Sequence, residues 1–413
     1  MTDRSLSRRR FLETGIWAGT AVGLAGPLLS FPSLAESGPP RVRRYARLGR
    51  TGLEVSDVSF GGSRLSEGED LVRHALDRGI NYFDTAEGYA GGRSEDVLGR
   101  ALEGQRDRVI LASKVKAHAG DRRAELMAAL ESSLKRLRTD RIDVYFNHAV
   151  NDLGRLQNEE WGEFVVRARE AGKIRFTGMS GHGGLLVECL DYALDHDLVD
   201  VVLVGYNFGQ DPAFYQKWTR RMDFVAIQPD LPRVLRKARA ADVGVVAMKT
   251  LRGGRLNDLR AYESGGATFA QAALRWVLAG GLADALIVTM KSPEQVDEYL
   301  GASGTRPGAG ASSGDAALLE RYERRNGAEQ CRYGCDHCQG ACPAGVEVAD
   351  VLRHRMYAED YGDPEAAREE YARLEGDASP CASCEDPRCL AACPFGLDVR
   401  ALARRAHARL GSA

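Results

Sequence analysis

Four ionisable side chains of different chemistry follow short β-branched runs in the middle of the chain: Asp84, Tyr89, Lys114 and His148. A carboxylate, a phenol, an amine and an imidazole that shared one pocket could move protons and stabilise developing charge. Alone, each has an ordinary structural role as a loop cap, a rim aromatic, a solvated lysine or a core histidine. Their chemistry therefore depends on the elements that bring them together.

Cysteines form a second group. Eight of the nine lie between Cys331 and Cys393, in two similar blocks that each end in Cys-Pro. The blocks are Cys331, Cys335, Cys338 and Cys342, then Cys381, Cys384, Cys389 and Cys393. Such crowding is typical of iron–sulfur clusters, zinc sites or disulfide bonds. The ninth, Cys189, lies in an apolar helical run and is predicted to be a core residue.

The elements between residues 55 and 289 alternate between strand and helix patterns. We predict strands at Val55–Ser59, Tyr82–Asp84, Val109–Ser113, Ile142–Phe146, Arg175–Ser180, Val201–Val204, Val243–Met248 and Ala285–Thr289. Amphipathic helices are predicted at Arg122–Leu137, Trp161–Ala171 and Thr268–Leu278. Eight alternations over about 250 residues are typical of a (β/α)8 TIM barrel.

An open doubly wound sheet is the competing architecture. Its usual Gly-x-Gly-x-x-Gly turn does not follow the first strand, so the barrel is favoured. Chemistry in barrels is located at the carboxyl ends of the strands. The four ionisable residues stand at or just beyond three successive strand ends, and we expect them to share one mouth.

The N-terminus has the pattern of an export signal. The string Ser-Arg-Arg-Arg-Phe-Leu (7–12) precedes a short apolar run and the small residues Ser33-Leu34-Ala35. This string resembles a twin-arginine motif, and the run is too short and glycine-rich for a membrane span. A basic cluster before a buried helix is the alternative. We expect residues 1–35 to direct export to the periplasm or cell exterior, with no membrane span after their removal.

Longer strings resemble the aldo-keto reductase family. They are RYARLGRTGLEVSDVSFGG (44–62), FDTAEGYAGGRSEDVLGRAL (83–102), ILASKV (110–115), IDVYFNH (142–148), GKIRFTGMSGH (172–182) and ALIVTMKSPEQVDEYL (285–300). The resemblance covers about residues 42–300. It implies a catalytic tetrad of Asp84, Tyr89, Lys114 and His148, acting on a small-molecule carbonyl or alcohol.

The roles implied for the tetrad follow simple acid–base logic. A free tyrosine, with a pKa of about 10, is a poor proton donor at neutral pH. An adjacent ammonium lowers that pKa, so Tyr89 would be the general acid and Lys114 its tuner. Asp84 would hold Lys114 charged, and His148 would donate a hydrogen bond to the carbonyl oxygen.

The resemblance also implies a dinucleotide site. Gly62, Ser63 and Ser180 would meet the nicotinamide end, and the loop Met248–Gly254, with Leu251 and Gly253, would wrap the pyrophosphate. The adenosine end would meet Lys291, Ser292, Gln295 and Glu298. A lysine beside a serine suits a 2′-phosphate, so NADP is preferred over NAD. The chain departs from the family at three positions: Leu203 and Gly181 replace a glutamine and an asparagine, and Tyr299 replaces a second asparagine.

The cysteine blocks resemble a two-cluster ferredoxin, in which three close cysteines and one remote Cys-Pro share a [4Fe–4S] cluster. This pattern implies one cluster on Cys331, Cys335, Cys338 and Cys393, and another on Cys342, Cys381, Cys384 and Cys389. The charged, helical connection between the blocks indicates a mainly α-helical ferredoxin-like domain. Zinc and disulfides remain the alternatives.

The predicted organisation is a signal peptide (1–35), a barrel (36–300), a flexible linker with a helix (301–330) and a two-cluster domain (331–413). A net charge of −2 gives no basic excess for nucleic-acid binding.

Hydride transfer with NADP(H) is the leading hypothesis. The alternative is a non-catalytic exported iron–sulfur subunit that serves a redox partner protein, with the barrel as scaffold. Hydride transfer moves two electrons and a cluster moves one. The sequence has no flavin signature that would indicate a cofactor to couple them.

Overall fold

The computed structural model describes residues 38–182, 185–210, 230–251, 263, 266–326, 329, 331, 337–359 and 364–411. The chain divides into two compact units, Met1–Gly38 and Pro39–Ala413. The predicted signal peptide and the predicted site residues Gly253 and Cys335 lie outside the described residues.

Eight parallel strands close into a barrel, as predicted. A short antiparallel hairpin, β1 (Tyr45–Arg47) and β2 (Glu54–Ser56), precedes it. The barrel strands run in the order β10-β3-β4-β5-β6-β7-β8-β9. They are β3 (Val58–Gly61), β4 (Tyr82–Asp84), β5 (Ile110–Val115), β6 (Ile142–Asn147), β7 (Ile174–Gly181), β8 (Val201–Gly205), β9 (Gly244–Met248) and β10 (Ala285–Thr289).

Helices cover the outside of the barrel. They are α1 (Glu69–Asp77), α2 (Arg93–Ala101), α3 (Arg123–Leu137), α4 (Glu159–Glu170), α5 (Leu186–Asp195), α6 (Leu231–Ala240), α7 (Phe269–Ala279) and α8 (Pro293–Leu300). Helix α3 buries Leu126, Leu130, Leu134 and Leu137, the apolar face that its sequence predicts. At the start of α7, the Thr268 hydroxyl accepts a hydrogen bond from the Gln271 N–H and so caps the helix.

The barrel interior is apolar at its amino end. Leu48, Leu53 and Val55 from the hairpin pack against the inward-facing side chains of the strands, including Tyr82 and Ala112. Because side chains alternate along a strand, residues two positions further on face the interior as well. This alternation directs Asp84 and Lys114 inward at the carboxyl end.

The predicted strand at Val55–Ser59 is wrong as a single element. It is divided at Asp57, between the hairpin and the first barrel strand. The buried Asp57 carboxylate accepts hydrogen bonds from Ser303 Oγ at 2.6 Å and the Gly304 N–H at 2.8 Å. These contacts anchor the start of the segment that the sequence predicts to be a flexible linker.

The helix after that segment, α9 (Ser313–Asn326), is part of the barrel structure. Leu318, Leu319 and Tyr322 are buried in the main barrel core. The Tyr322 ring lies 4.3 Å from that of Phe269, and Asp315 forms an ion pair with Arg275 at 2.5 Å. The barrel therefore extends beyond the predicted boundary at residue 300.

The remaining described residues form a helical module with its own core. Its helices are α10 (Val348–Glu359), α11 (Pro364–Tyr371), α12 (Arg388–Ala392) and α13 (Val399–Leu410). The internal repeat seen in the sequence has the same backbone geometry twice. Gly345 and Gly396 both have positive φ, and each donates its N–H to the cysteine carbonyl three residues earlier at 3.3 Å. A helix begins three residues after each glycine.

No helix within the described residues has the length and apolar character needed to cross a membrane.

Two glycines inside barrel helices give opposite predictions. A Cβ at Gly99 in α2 would overlap the Arg136 carbonyl oxygen and lie 2.8 Å from the Leu137 carbonyl carbon. Gly99→Ala should therefore lower the free energy of unfolding by about 1–3 kcal/mol. Gly162 in α4 is exposed and has nothing within 4 Å of such a Cβ. Gly162→Ala should raise the free energy of unfolding by about 0.5–1 kcal/mol. Urea unfolding measures both, and equal effects would contradict the α2–α3 packing.

Candidate active site

Three neighbouring strands bring the four predicted residues to the carboxyl end of the barrel. Asp84 ends β4 and pairs in register with Ala112 of β5. Lys114, two residues further along β5, pairs with Phe146 of β6. His148 directly follows β6, and its N–H donates to the Val115 carbonyl at 2.8 Å. The structure therefore brings all four together, since Tyr89 lies in the loop after β4.

Lys114 and Asp84 form a buried ion pair, with each side chain only 1% exposed. Lys114 Nζ donates to Asp84 Oδ1 at 2.6 Å and to the Thr85 carbonyl at 2.5 Å. Burial acts to lower the pKa of Lys114, but Asp84 and Tyr89 raise it above its ordinary value. The amine is therefore held as an ammonium inside the barrel.

Tyr89 lies beside this ammonium. Lys114 Nζ is 4.9 Å from the centre of the Tyr89 ring, and the two side chains are within hydrogen-bonding reach. Lys114 lowers the pKa of Tyr89, as predicted, but the net shift is upward. Burial raises the pKa of Tyr89 by more than Lys114 lowers it, and Asp84 raises it further. The phenol therefore keeps its proton at neutral pH.

His148 completes the group as a neutral imidazole. Its ring meets that of Tyr89 edge-on, with centroids 5.5 Å apart and planes at 81°. Burial, followed by the charges of Lys114 and other nearby cations, lowers the pKa of His148 to about 3. A neutral imidazole keeps one N–H, which can donate a hydrogen bond to the carbonyl oxygen.

Sequence reasoning missed Arg155, which holds the His148 loop. Its buried guanidinium donates to the carbonyls of His148 and Ala149 and to Asn147 Oδ1, each at 2.7 Å. It also donates to the Ala117 carbonyl at 2.5 Å. Because these acceptors are neutral and mostly backbone atoms, no residue pattern in the sequence could have indicated this role.

His182 was also missed, and Lys249 was predicted only as part of the loop around the pyrophosphate. His182 directly follows β7 and Lys249 directly follows β9, so both stand at strand ends as His148 does. Burial and then the Lys249 charge hold the pKa of His182 well below its ordinary value. Position at a strand end was the feature that could have identified both residues.

The predicted nicotinamide-end residues lie at the same mouth. Gly62 follows β3, where its N–H donates to the Asp84 carbonyl at 2.7 Å. Ser63 Oγ is 2.9 Å from Thr289 Oγ1 at the end of β10. Ser180 Oγ near the end of β7 accepts from the Ala149 N–H at 3.0 Å.

The predicted adenosine-end residues gather at the start of α8. Ser292 caps this helix by accepting from the Gln295 N–H at 3.3 Å, and the Lys291 N–H donates to Gln295 Oε1 at 2.8 Å. Lys291 is exposed, and Glu298 lies one turn further along. Leu251, in the predicted pyrophosphate loop, is buried at 3% exposure, and Gly253 lies outside the described residues.

The departures from the family pattern are fixed by packing. Leu203 is fully buried in the apolar barrel interior. A Cβ at Gly181 would lie 2.6 Å from Leu186 Cδ1 and 3.0 Å from the Val150 carbonyl oxygen, so an asparagine there would require Leu186 to move. Tyr299 is buried in the main barrel core.

Four of the cysteines surround one cavity. This small pocket is lined by Cys342, Cys381, Cys384 and Cys389, together with Pro343 and Arg388. These are the four cysteines that the ferredoxin resemblance assigns to one cluster. Burial, followed by the other three thiols, raises the pKa of Cys381 to about 11.

The other predicted set is described in part. Cys331 and Cys338 are buried in the core of the module, and Cys393 is a partly buried residue packed against that core. No disulfide bond joins any of the eight cysteines that the structure describes. Among the described residues, no three His, Cys, Asp or Glu side chains are arranged to hold a single metal ion.

Comparison with known proteins identifies one family. A model described as the aldo/keto reductase family matches residues 56–265. The chain is 38% identical over 157 residues to the Bacillus subtilis aldo-keto reductase YhdN, covering 33% of this chain but only 46% of that protein. It therefore spans about half the length of this relative.

Two further matches are longer. The uncharacterized oxidoreductase YrpG of Bacillus subtilis is 31% identical over 54% of this chain and 71% of its own length. A solved aldo/keto reductase from Klebsiella pneumoniae, in complex with NADP and acetate, is 28% identical with a TM-score of 0.51. That match covers 68% of this chain and 95% of the Klebsiella chain.

The buried ion pair gives a stability prediction. Asp84→Asn leaves the Lys114 ammonium without its counter-charge and should lower the free energy of unfolding by about 3–5 kcal/mol. The double variant Asp84→Asn/Lys114→Met removes the stranded charge and should be less destabilised than the single variant. Urea unfolding tests both.

The exposed pair of Glu103 and Arg138, 2.9 Å apart, supplies the control. Glu103→Gln should cost less than about 1 kcal/mol, because exposed ion pairs contribute little. A loss at Asp84 no larger than the loss at Glu103 would refute the buried pair.

Proposed function

The chain belongs to the aldo/keto reductase family, and from that premise we propose that it interconverts a carbonyl compound and an alcohol with NADP(H). The observation that carries the proposal is the buried Lys114–Asp84 pair beside the protonated Tyr89 phenol. Two relatives are named as reductases or oxidoreductases. The Klebsiella structure holds NADP.

In the proposed mechanism, the bound dinucleotide supplies a hydride to the carbonyl carbon. The oxygen gains negative charge as this bond forms, and Tyr89 donates its proton to that oxygen. Lys114 stabilises the phenolate that remains, and Asp84 keeps Lys114 charged. The neutral His148 donates a hydrogen bond to the same oxygen. Alcohol oxidation runs these steps in reverse.

The residues present fit a dinucleotide at most positions. Ser63, Ser180 and the start of α8 with Lys291 offer polar groups around one mouth. The Thr250 hydroxyl, in the predicted pyrophosphate loop, is buried and has no partner among the residues that the structure describes. A buried polar group without a partner is costly, and a phosphate oxygen would satisfy it.

Gly181 and Leu203 favour a second candidate function. Neither residue can hydrogen-bond a carboxamide through its side chain, so one end of the dinucleotide has fewer partners than the family pattern provides. A non-catalytic subunit that uses the barrel as scaffold would tolerate this loss. Titration of the purified full-length protein with NADPH separates the two candidates, because only the reductase requires saturable binding.

The reductase proposal predicts a specific loss at Tyr89. Tyr89→Phe removes the proton donor and should lower kcat for para-nitrobenzaldehyde by a factor of about 10²–10⁴. NADPH affinity should stay unchanged. Absorbance of NADPH measures the rate, and fluorescence titration measures binding.

Tyr192→Phe is the matched control, because Tyr192 stacks on His196 on α5, away from the mouth. It should keep the wild-type rate. Wild-type kcat in the Tyr89 variant would exclude this phenol as the acid.

We further propose that the C-terminal module holds two [4Fe–4S] clusters. Support comes from the cavity around Cys342, Cys381, Cys384 and Cys389. In a cubane cluster, each thiolate binds a different iron, so four sulfurs surround a volume. Zinc instead needs its ligands within about 2.3 Å of one point. The arrangement around a cavity favours the cluster.

Four thiols that face one another disfavour ionisation until a cation neutralises them. Iron ions would supply that charge. Because the two cysteine blocks form an internal repeat, we extend the proposal to the set of Cys331, Cys335, Cys338 and Cys393. Within that set, Cys335 lies outside the described residues.

Loss of one ligand should remove one cluster. Cys384→Ser should reduce the iron content of the anaerobically purified protein from about eight to about four per chain. Cys189→Ser, which alters a buried cysteine of the barrel, should leave the iron content unchanged. Metal analysis and visible absorbance provide the measurement. Stoichiometric zinc, or oxidised thiols without iron, would overturn the cluster proposal.

We also propose that residues 1–35 direct export by the twin-arginine pathway. The motif and the apolar run after it support this proposal. That pathway carries folded proteins, which suits a protein that acquires its clusters before export. A redox partner protein would then receive or supply the electrons of the clusters.

A further inference from the structure

The two halves of the internal repeat in the C-terminal module differ in charge at one equivalent position. Helices α10 and α13 each begin three residues after the positive-φ glycine of their half. The second residue of the helix is Ala349 in one half and Arg400 in the other. Because the backbone before the two helices has the same geometry, these side chains are counterparts beside the two predicted cluster sites.

Arg400 lies at one of these sites. It lines the cavity of the Cys381 site, which is formed by Cys342, Cys381, Cys384 and Cys389. Arg400 Nε is buried and has no hydrogen-bond partner among the residues that the structure describes. A buried N–H without an acceptor is costly, and a sulfur atom of a cluster in this cavity would accept its hydrogen bond. Its counterpart Ala349, which is 1% exposed, has no polar side chain.

A carboxylate also lines the cavity, but it pairs with a different arginine. Asp386 accepts a hydrogen bond from Arg388 Nε at 2.7 Å. The charges of these two side chains offset each other. The guanidinium of Arg400 therefore adds a positive charge to the lining of the Cys381 site.

A second pair of equivalent arginines differs in the same sense. Arg404 donates from Nε to the Cys381 carbonyl at 2.7 Å and from Nη2 to the Ala382 carbonyl. These neutral acceptors do not offset its charge. The equivalent residue of the other half, Arg353, forms an ion pair with Asp350 at 2.9 Å. Water partly screens the exposed Arg404, so Arg400 should account for most of the difference between the halves.

Burial of the cysteines acts in the same direction. In the Cys331 site, predicted at Cys331, Cys335, Cys338 and Cys393, the thiols of Cys331 and Cys338 are buried. All four cysteines of the Cys381 site are partly exposed. Reduction adds a negative charge to a cluster, and a buried environment disfavours additional charge. The Cys381 site should therefore be the easier one to reduce.

We propose that Arg400 stabilises the reduced form of a cluster at the Cys381 site, so that the two clusters of the module differ in reduction potential. The inference rests on the proposed cluster function. Positive charge and hydrogen bonds to sulfur both raise the reduction potential of a cluster. Each reduction adds one electron, supplied by the proposed redox partner protein, and no bond forms or breaks. The first electron that enters the module then rests at the Cys381 site.

Redox titration of the anaerobically purified full-length protein tests the inference. Dithionite supplies the electrons, and electron paramagnetic resonance measures the reduced clusters at each potential. The wild type should show two one-electron steps, with the Cys381 site in the step at higher potential. Arg400→Met should lower the potential of that step alone. The ratio of reduced to oxidised cluster at a fixed potential should fall by about tenfold, which is about 59 mV for a one-electron couple.

Three further variants separate charge from folding. Arg400→Lys keeps the charge and should retain most of the wild-type potential, whereas Arg400→Glu should lower the higher step by more than Arg400→Met does. Arg409→Met is the matched control, because it changes an exposed arginine of α13 that lies about 13 Å further along the helix axis. It should leave both steps unchanged.

A variant without the Cys381 cluster assigns the two steps. Cys384→Ser should remove the step at higher potential and keep the other. Addition of Arg400→Met to Cys384→Ser should then leave the remaining step where it is, because Arg400 lies beside the cluster that has been lost.

Equal potentials in the wild type, an unshifted higher step in Arg400→Met, or equal shifts of both steps would exclude the inference. A loss in Arg400→Lys as large as that in Arg400→Met would assign Arg400 a structural role instead. Failure of the cluster proposal is distinguishable by metal analysis. Protein without iron would show no step and would overturn both proposals, whereas equal potentials in protein with about eight irons per chain would overturn this one alone.

Discussion

The buried pair of Lys114 and Asp84 is the constraint on which the barrel mouth depends. Moving an ammonium out of water costs several kcal/mol, so the fold must supply compensating contacts at fixed positions. Asp84 and the Thr85 carbonyl do so from β4 and the residue that follows it. This requires the register of β4 against β5 that the structure has. A slip of β4 by one residue would turn Asp84 outward and destroy the pair.

The same constraint divides the barrel interior into two zones. Toward the amino end, Leu48 and Leu53 of the hairpin seal an apolar interior. Toward the carboxyl end, the ion pair, Tyr89 and His148 form a polar layer. A low dielectric below the site strengthens the action of Lys114 on Tyr89, although burial still leaves the phenol protonated.

Local pattern was sufficient to predict the barrel and the position of the four ionisable residues. Strands buried on both faces are continuous β-branched runs, and β4 and β10 have the bounds that were predicted. The break at Asp57 could not be predicted, because a carboxylate within an apolar run gives no indication of partners that lie 246 and 247 residues away. The role of Arg155 could not be predicted for a different reason. Its acceptors include backbone carbonyls, which every residue has, so no residue type marks them in the sequence. The net direction of the Tyr89 pKa shift depends on whether burial or the Lys114 charge has the larger effect. The degree of burial is known only from the packed structure.

The contact between Lys249 and Tyr357 suggests how the module and the barrel could be coupled although their proposed chemistries move different numbers of electrons. Hydride transfer moves two electrons and an iron–sulfur cluster moves one, so direct coupling would need a converter that the sequence does not indicate. A structural connection between the module and the barrel mouth would need no electron transfer between them. Helix α10 carries Tyr357 and buries Val351, Leu352 and Met356 in the core that also contains the module's cysteines. Loss of the proposed clusters would loosen that core and with it the position of the Tyr357 hydroxyl. The clusters could then govern the geometry of the mouth through Lys249 without passing any electron to the substrate.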